Sequence, residues 1–423
     1  SDHEVNIKIL LNALEREGKL QRKERNELLV GMTDAVSSLV LYNNYRQARA
    51  ISLAQSQSLK RTVEYLRMLD CWERDDMIDR TLEFLPSNEA LQERSARGAG
   101  LTRAELSVLI AYSKGILKEA LIGSDIISDP LLSGLLAKAF PDEFVDRYRD
   151  GLSGHALRRE IVATQWANDL VNHMGPSYLY RLDEASGASV EEVVRAYAAA
   201  REIFSLAELW EEIEVLDYDV SPDVQHGMMY DLSRLVRRGS RWLLRNCREE
   251  LSDLPKLVAR FKSGVQEVSY LLHDLLQEAA LGHWEKRQCY LVSQNVPEDL
   301  AGRIANSSGL YSSFGVIYAS EQTGESIATA AKIYFSASDH LELHWLSYRI
   351  RGLVVEDHWQ ARARDSFRDE LHMLQRKLTV QILRMDCAGG VENHIDYWMA
   401  RRSRQVKRWQ VVLEELRAAG TQD

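Results

Sequence analysis

Helix-forming patterns recur along nearly the whole chain and limit its fold more than any other feature. After Thr102, apolar residues follow at helical spacing on one stripe: Leu106, Leu109, Ile110, Leu117 and Leu121. Three segments fit the capping box, in which a hydroxyl and a carboxylate three residues later satisfy each other's unpaired backbone donors: Thr102 with Glu105, Ser189 with Glu192, and Ser205 with Glu208. Only 7 of the 423 residues are proline, so helices are rarely interrupted. The sequence predicts an all-α fold of many helices, elongated or bundle-like, with little or no β-structure.

The longest helical pattern covers residues 33–70, which contain neither glycine nor proline. A single helix of ~38 residues is long for a globular protein, so we expect a bend or a short break inside it. Ser221-Pro222 places a capping residue before a proline that suits the first position of a helix. Only residues 315–319 (GVIYA) suggest a short strand, and the same residues could equally form a buried turn.

Charge and cysteine usage exclude several classes of protein. The formal net charge is −10, which argues against a nucleic-acid partner because such binding needs a basic surface to displace counterions from phosphates. The four cysteines lie far apart and form no Cys-x-x-Cys pair: Cys71, Cys247, Cys289 and Cys387. We therefore expect reduced thiols in a cytoplasmic protein. No apolar run reaches the ~18 residues of a membrane span, so we expect no membrane partner.

A dinucleotide site requires a glycine-rich turn from strand to helix, where backbone amides approach the pyrophosphate. Neither Gly98-Ala99-Gly100 nor Gly389-Gly390 continues into such a motif. We expect this chain to bind no NAD by itself.

The sequence also has few residue spacings that are typical of metal sites. His340 and His344 would place two imidazoles one helical turn apart, as in helical zinc sites. The spacing lacks an adjacent glutamate and an obvious third ligand. A solvated or capping pair is the simpler interpretation, and we expect no metal site.

Five arginines step by three and four residues along one predicted helix and therefore share a face, which we call the arginine stripe: Arg234, Arg238, Arg241, Arg245 and Arg248. Guanidinium groups bind carboxylates and phosphates through two parallel hydrogen bonds, so the stripe could hold an anion or dock an acidic domain. Alternatively, the stripe is a solvated face paired with nearby carboxylates, such as Glu249 and Glu250 or those of another helix.

Four glutamates lie on the helix predicted after Ser205: Glu208, Glu211, Glu212 and Glu214. They could complement the arginine stripe. The simpler interpretation is an amphipathic helix whose acidic side faces water and which packs through four apolar residues: Leu206, Leu209, Trp210 and Ile213.

Two long stretches carry a family resemblance. Residues 100–114 (GLTRAELSVLIAYSK) are similar to an LTRPEL…LLAYAK segment, with Ala104 in place of a proline. Residues 155–165 (HALRREIVATQ), continuing to Asn172, resemble an HPLRREIIAT…N helix, with Ala156 in place of a proline. Residues 204–210, 241–245 and 343–364 also fit. By these stretches the chain resembles the large-subunit NAD-dependent glutamate dehydrogenases, nearly from end to end.

The resemblance implies that a parent enzyme oxidises L-glutamate to 2-oxoglutarate and ammonium with NAD as the hydride acceptor. Residues 1–12 (SDHEVNIKILLN) begin without Met and resemble the point where the family's catalytic domain ends and its helical C-terminal region starts. The resemblance therefore places the catalytic residues and the NAD-binding domain upstream of residue 1. Ser1 resembles a serine near the substrate's side-chain carboxylate in smaller glutamate dehydrogenases; alternatively, it caps the helix beginning at Glu4.

The resulting expectation has three parts: residues 1–15 as the tail end of the catalytic domain, residues 16–187 as a helical domain and residues 188–423 as a second helical region. Because hydride transfer needs none of these helices, we expect them to contact the catalytic domain, build a homo-oligomer and respond to a small-molecule effector. The rival hypothesis is an independent helical scaffold or adaptor that binds acidic or helical partners through the arginine stripe.

Overall fold

The computed structural model describes residues 2–353, 358–385 and 392–419, which form helices joined by short connections. No β-strand occurs within those three ranges, so the prediction of an all-α fold is confirmed. Ser1 lies outside the described residues, as do Cys387 and the Gly389-Gly390 pair.

The chain divides into two compact units, Ser1–Ala200 with Gly239–Pro255 and Arg201–Arg238 with Lys256–Asp423. The helices up to residue 203 are α1 (Asp2–Arg16), α2 (Arg22–Gly31), α3 (Thr33–Gln57), α4 (Thr62–Arg74), α5 (Asn88–Ala96), α6 (Arg103–Ile122), α7 (Pro130–Ser133), α8 (Asp142–Leu152), α9 (Arg158–Met174), α10 (Tyr178–Ser186) and α11 (Val190–Ile203). The later helices are α12 (Leu206–Glu214), α13 (Pro222–Asn246), α14 (Leu254–Leu275), α15 (Glu278–Ser293), α16 (Glu298–Leu310), α17 (Ser313–Thr323), α18 (Ile327–His340), α19 (Leu343–Gly352), α20 (His358–Leu383), α21 (Glu392–Arg401) and α22 (Ser403–Ala419). Short 3₁₀ helices occur at Leu59–Arg61, Asp125–Ser128, Gly134–Ala139 and Glu249–Ser252. The three-part division of the sequence at residues 15/16 and 187/188 stays a prediction.

Two of the three predicted capping boxes form at the starts of their helices. The Thr102 hydroxyl accepts from the backbone N–H of Glu105, whose carboxylate accepts from the N–H of Thr102 at 2.7 Å. Ser189 and Glu192 make the same exchange. The box at Ser205 is wrong: this residue has φ 51°, and its side chain makes no capping bond. A left-handed backbone lacks the extended geometry that an N-cap needs.

The long helical pattern of residues 33–70 is broken, as predicted. α3 ends at Gln57, a 3₁₀ turn follows, and α4 begins at Thr62. The buried hydroxyl of Ser58 donates to the carbonyl of Leu101 at 3.2 Å. This hydrogen bond joins the break between α3 and α4 to the connection that precedes α6.

Residues 315–319 form no strand. They lie inside α17, where Val316, Ile317 and Ala319 are buried. A short apolar run in a fully buried helix has the same appearance as a buried strand, so the pattern alone could not separate them. A Cβ at Gly315 would lie 2.7 Å from the ring of Tyr334, so glycine is needed there for close packing.

The core of the first unit forms where α6, α9 and α3 pack together. All five apolar residues of the predicted stripe on α6 are buried, which confirms that stripe. On α9, Val162, Trp166 and Leu170 are buried as well, and the Trp166 indole donates to the carbonyl of Leu132 at 2.7 Å. The core therefore consists of helix-on-helix packing.

The core of the second unit lies among α14, α17, α18 and α20. Its central buried residues include Leu272, Val316, Tyr334, Phe335 and Ile382. A neighbouring aromatic group surrounds Phe314, which is the residue next to the glycine of α17.

His340 and His344 do not share a helix. α18 ends at His340, Glu342 has a left-handed φ of 52°, and α19 begins at Leu343. The expectation of two imidazoles one turn apart is wrong because the backbone leaves helical geometry between them. Within the described ranges, no group of three or more His, Cys, Asp or Glu side chains is arranged to hold a metal. Nor does any helix described there combine the length and apolar character that crossing a membrane requires.

Candidate functional sites: the seam of the first unit and the arginine stripe

Buried polar contacts tie the first helices of the chain to helices far along the sequence. His3 on α1 donates from Nδ1 to the carbonyl of Ala139 at 2.7 Å, and its Nε2 accepts from the Asn43 amide on α3 at 2.7 Å. His155 donates from Nε2 to the carbonyl of Asn6 on α1 at 2.9 Å. Both histidines are buried. Each contact joins residues more than a hundred positions apart, except the one between His3 and Asn43.

A second group of contacts joins α3 to α9. The Arg46 guanidinium lies 3.0 Å from Nε2 of His173 and 3.8 Å from the carboxylate of Asp169. His173 donates from Nδ1 to the carbonyl of Asp169 at 2.8 Å, and the Tyr197 hydroxyl donates to the Asp169 carboxylate at 2.8 Å. Asp169 and His173 are buried, so these hydrogen bonds satisfy groups that water does not reach.

Arg103, the first residue of α6, extends the same arrangement. Its guanidinium donates to the hydroxyl of Ser52 at 2.7 Å and to the carbonyl of Ala48 at 3.0 Å, both on α3. We call the contacts of α1 and α3 with Ala139, α6, α9 and His155 the seam. It lies entirely within the first unit.

Lys114 stands out chemically in the first unit. It is the last residue of the family-like segment on α6 and is partly buried. Burial, with a smaller contribution from the charge of Arg46, lowers the pKa of Lys114 to about 8. Lysines with lowered pKa values are common at functional sites and also occur in structural networks.

Four residues of the arginine stripe lie on one helix, α13, whereas the prediction is wrong for Arg248 because α13 ends at Asn246. The residues of the stripe belong to different compact units. Arg248, just beyond the end of α13, binds both carboxylate oxygens of Glu192, at 2.6 and 2.7 Å, within the first unit. It also donates to the carbonyl of Gly187 at 3.2 Å. Arg248 therefore agrees with the alternative interpretation, in which the arginines pair with carboxylates, and its partner is Glu192. Arg241 and Arg245, also in the first unit, have interaction partners too.

The other two residues of the stripe belong to the second unit. Arg238 is partly buried, and its guanidinium carbon lies 4.0 Å from the ring centre of Tyr311. Its Nη2 is 3.3 Å from Nε2 of His372, an imidazole that stands edge-on to Tyr311. Burial, and then the charge of Arg368, lower the pKa of Arg238 to about 9. Arg234 lies one turn earlier and is also partly buried. The use of the stripe for anion binding or domain docking stays a prediction.

The acidic helix α12 packs as its pattern indicates. Its four apolar residues are all buried: Leu206, Leu209, Trp210 and Ile213. Glu212 accepts from Arg303 on α16 at 2.8 Å. The interpretation of α12 as an amphipathic helix is therefore confirmed.

A cavity of about 600 Å³ opens beside α12 in the second unit. Phe204, Leu209 and Trp284 form part of its apolar lining. The Trp284 indole donates to the Asn306 side chain at 2.8 Å, and that amide donates to Ser269 at 3.1 Å. These three polar groups therefore satisfy one another.

Sequence reasoning missed the residues that make the seam and those that surround Arg238. His3, Asn43 and Asp169 show no local pattern, because their partners are distant in sequence. Tyr311 and His372 are single residues on separate segments, and only tertiary packing brings them to Arg238. His155, which lies in the family-like segment 155–165, was the one seam residue to which the sequence drew attention.

The fold and the seam define an all-helical region whose first helices are integral to its core. Among known families, the model described as glutamate dehydrogenase, C-terminal, matches residues 98–423, and the chain belongs to this family. The model described as the catalytic domain of bacterial NAD-glutamate dehydrogenase matches residues 1–54, which extends past the boundary drawn after residue 15.

Three relatives carry the name NAD-specific glutamate dehydrogenase. The protein of Pseudomonas aeruginosa is 46% identical over 100% of this chain, that of Halomonas elongata 42% over 98%, and that of Mycobacterium tuberculosis 31% over 100%. In each case the match covers 26% of the relative's length. The chain therefore spans about a quarter of the proteins it resembles.

Proposed function

We propose that these helices form the C-terminal region of an NAD-dependent glutamate dehydrogenase and brace its catalytic domain. The parent reaction converts L-glutamate, NAD and water to 2-oxoglutarate, ammonium and NADH. The names of three relatives and the two family matches support this reaction.

The seam is the observation that carries the bracing role. α1 and most of α3 fall in the stretch matched to the catalytic domain, whereas Ala139, His155 and Asp169 fall in the stretch matched to the C-terminal family. Buried hydrogen bonds connect the two stretches within one compact unit. Separating them would break these hydrogen bonds, each worth about 0.5 to 1.5 kcal/mol, and would expose the apolar residues packed around them to water. The two stretches therefore act as one folded body.

This arrangement assigns different tasks to different parts of the parent. The catalytic residues and the NAD site belong upstream of residue 1, and the present helices hold the last helices of the catalytic stretch in place. Contacts between copies of the parent, a small-molecule effector and a cytoplasmic location remain part of the proposal. The three cysteines that the structure describes are free, which suits that compartment.

The reaction is tested by the absorbance of NADH formed by the purified parent with L-glutamate and NAD. We expect glutamate-dependent NADH formation by the parent and none by the 423-residue chain alone. D-glutamate and NADP serve as substrate and cofactor controls.

A complete, folded parent that forms no NADH from L-glutamate would contradict the proposed reaction. In that event the helical scaffold or adaptor becomes the preferred function. NADH formation by the 423-residue chain alone would contradict the placement of the catalytic residues upstream.

A further inference from the structure

The connection between α4 and α5 in the first unit holds three large apolar side chains out in water. Phe84 is 91% exposed, Leu82 70% and Met77 45%. Single exposed apolar residues are ordinary on a protein surface, whereas a group of them marks a site of interaction. We call residues 75–85, which carry this group, the knob loop.

Phe84 occupies a backbone position at which glycine is the ordinary residue. The N–H of Leu85 donates to the carbonyl of Arg80 at 2.9 Å, and the N–H of Phe84 donates to the carbonyl of Thr81 at 3.3 Å. This pair of hydrogen bonds is the pattern of the Schellman motif, whose left-handed position is usually taken by glycine or asparagine. Phe84 takes it here, with φ 53°. A bulky residue in that conformation strains the backbone, and an exposed ring gains no burial that would offset the strain.

A buried arginine fixes the knob loop in this conformation. Arg80 is 7% exposed, and its guanidinium pairs with the carboxylate of Asp70 and with that of Glu73 at 3.0 Å. Ile78 and Leu85 are buried beneath the loop as well. The loop is therefore a rigid support that presents its apolar side chains in advance. A side chain that is already held in place loses little entropy when it binds a partner.

The surface around the three apolar side chains is acidic. Asp75, Asp76, Asp79 and Glu89 are exposed, and the exposed Arg74 is paired with Asp75 at 3.2 Å. Two knob loops that faced each other would bring like charges together, which disfavours contact between this loop and the same loop of a second copy. The surface that matches the loop is an apolar pocket with a basic rim.

The cavity beside α12 does not match the knob loop. Glu208, Glu298 and Asp299 belong to its lining, and Arg303, which also lines it, is paired with Glu212 and Asp299. A second copy would therefore offer carboxylates to an acidic loop at this cavity.

The upstream part of the proposed parent is the partner that the layout of the chain favours. In that parent the chain continues upstream from α1, and the seam fixes α1 in the first unit, which also carries the knob loop. The present chain spans 26% of the length of its relatives, so most of the parent's surface lies elsewhere in the parent.

We propose that the knob loop docks on the catalytic domain of the same parent chain, with Phe84 in an apolar pocket that is rimmed by lysine or arginine. An aromatic side chain in a desolvated pocket is the typical anchor of a protein interface. This inference rests on the proposed function and deepens the bracing role, because it names the surface and the anchor residue by which the first unit holds the domain.

The docking is tested by hydroxyl-radical footprinting, in which exposed side chains are oxidised and peptide mass spectrometry measures the rate. We expect Phe84, Leu82 and Met77 to react at least about tenfold more slowly in the complete parent than in the 423-residue chain, because an interface anchor is fully desolvated. The parent unfolded in urea is the control, in which all three should react at the rate of an open chain. Footprinting needs no turnover, so a parent that protects Phe84 but forms no NADH would contradict the proposed reaction and support the docking.

Phe84→Asn removes the anchor and suits the left-handed backbone. In the 423-residue chain this variant should melt no lower than the wild type. In the parent it should return the oxidation of Met77 to the rate of the 423-residue chain, with no change in molar mass by light scattering. Tyr218→Asn is the matched control, because Tyr218 is also fully exposed with a left-handed φ of 73° but lies in the second unit. The control variant should leave Met77 protected.

The proposal is overturned if Phe84 is oxidised equally fast in the parent and in the 423-residue chain, or if Met77 stays protected in the Phe84→Asn parent. A lower molar mass of the Phe84→Asn parent would identify a second copy as the partner and would overturn it too. A lower melting temperature of the 423-residue Phe84→Asn chain would show that Phe84 supports the fold of its own loop, which also contradicts the proposal.

Discussion

Replacing Phe314 with alanine is expected to lower the free energy of unfolding of the second unit by about 3 to 5 kcal/mol. Phe314 is fully buried, and three aromatic rings surround it: Phe204 at 5.4 Å, Phe261 at 5.2 Å and Tyr311 at 6.3 Å between ring centres. The substitution removes apolar contact area, leaves a cavity and ends three edge-to-face contacts. Urea denaturation followed by circular dichroism measures the loss.

Phe367→Ala is the matched control, since this side chain on α20 is 53% exposed. The same chemical change at that position should cost less than about 1 kcal/mol. Equal losses for the two variants would show that Phe314 is not the buried centre of this aromatic group.

Gly100→Ala should destabilise the first unit by about 3 kcal/mol. A Cβ at this position would lie 2.7 Å from both the backbone nitrogen of Leu59 and the backbone carbon of Ser58, and it would also meet the Ser58 hydroxyl. Backbone atoms cannot rotate away as side-chain ends do. The break between α3 and α4 must therefore move, and the hydrogen bond from Ser58 to Leu101 goes with it.

We expect the opposite result for Gly115→Ala in α6, the helix that follows Gly100. Gly115 is exposed on α6, and no atom lies within 4 Å of a Cβ placed there. Alanine should raise stability by roughly 1 kcal/mol, because it restricts the unfolded chain and favours the helix. Thermal unfolding of both variants is sufficient for the comparison. A neutral Gly100→Ala would mean that Ser58 and Leu59 do not approach this glycine.

The sequence predicts best those features whose causes are local. The stripe on α6, the caps at Thr102 and Ser189 and the buried face of α12 depend on residues within one or two turns of each other. Ser205 does not cap α12 because its backbone has a left-handed φ of 51°. The chain's path into α12 sets that angle, and the spacing between Ser205 and Glu208 does not reveal it. Residues 315–319 fail for a related reason, since burial on all sides removes helical periodicity.

The candidate sites are predicted less well, because they are made by contacts between distant segments. Spacing correctly places four of the five stripe arginines on one helix, but that helix ends before Arg248. It cannot tell that Arg248 binds Glu192 while Arg238 stacks on Tyr311 in the other unit. The seam is hidden for the same reason: His3 and Ala139 are 136 positions apart. The resemblance names the family, but only the structure gives the contacts that join α1 and α3 to the helices later in the first unit.

The most direct test of the bracing role compares the complete parent with the same chain ended after residue 54, where the match to the catalytic domain stops. The two quantities to measure together are the rate of glutamate-dependent NADH formation and the molar mass by light scattering. We predict that the shortened chain loses most of its activity and its oligomeric mass, because α1 and α3 no longer have α6 and α9 to pack against. Equal activity and equal mass for the two chains would contradict the proposal that these helices brace the enzyme.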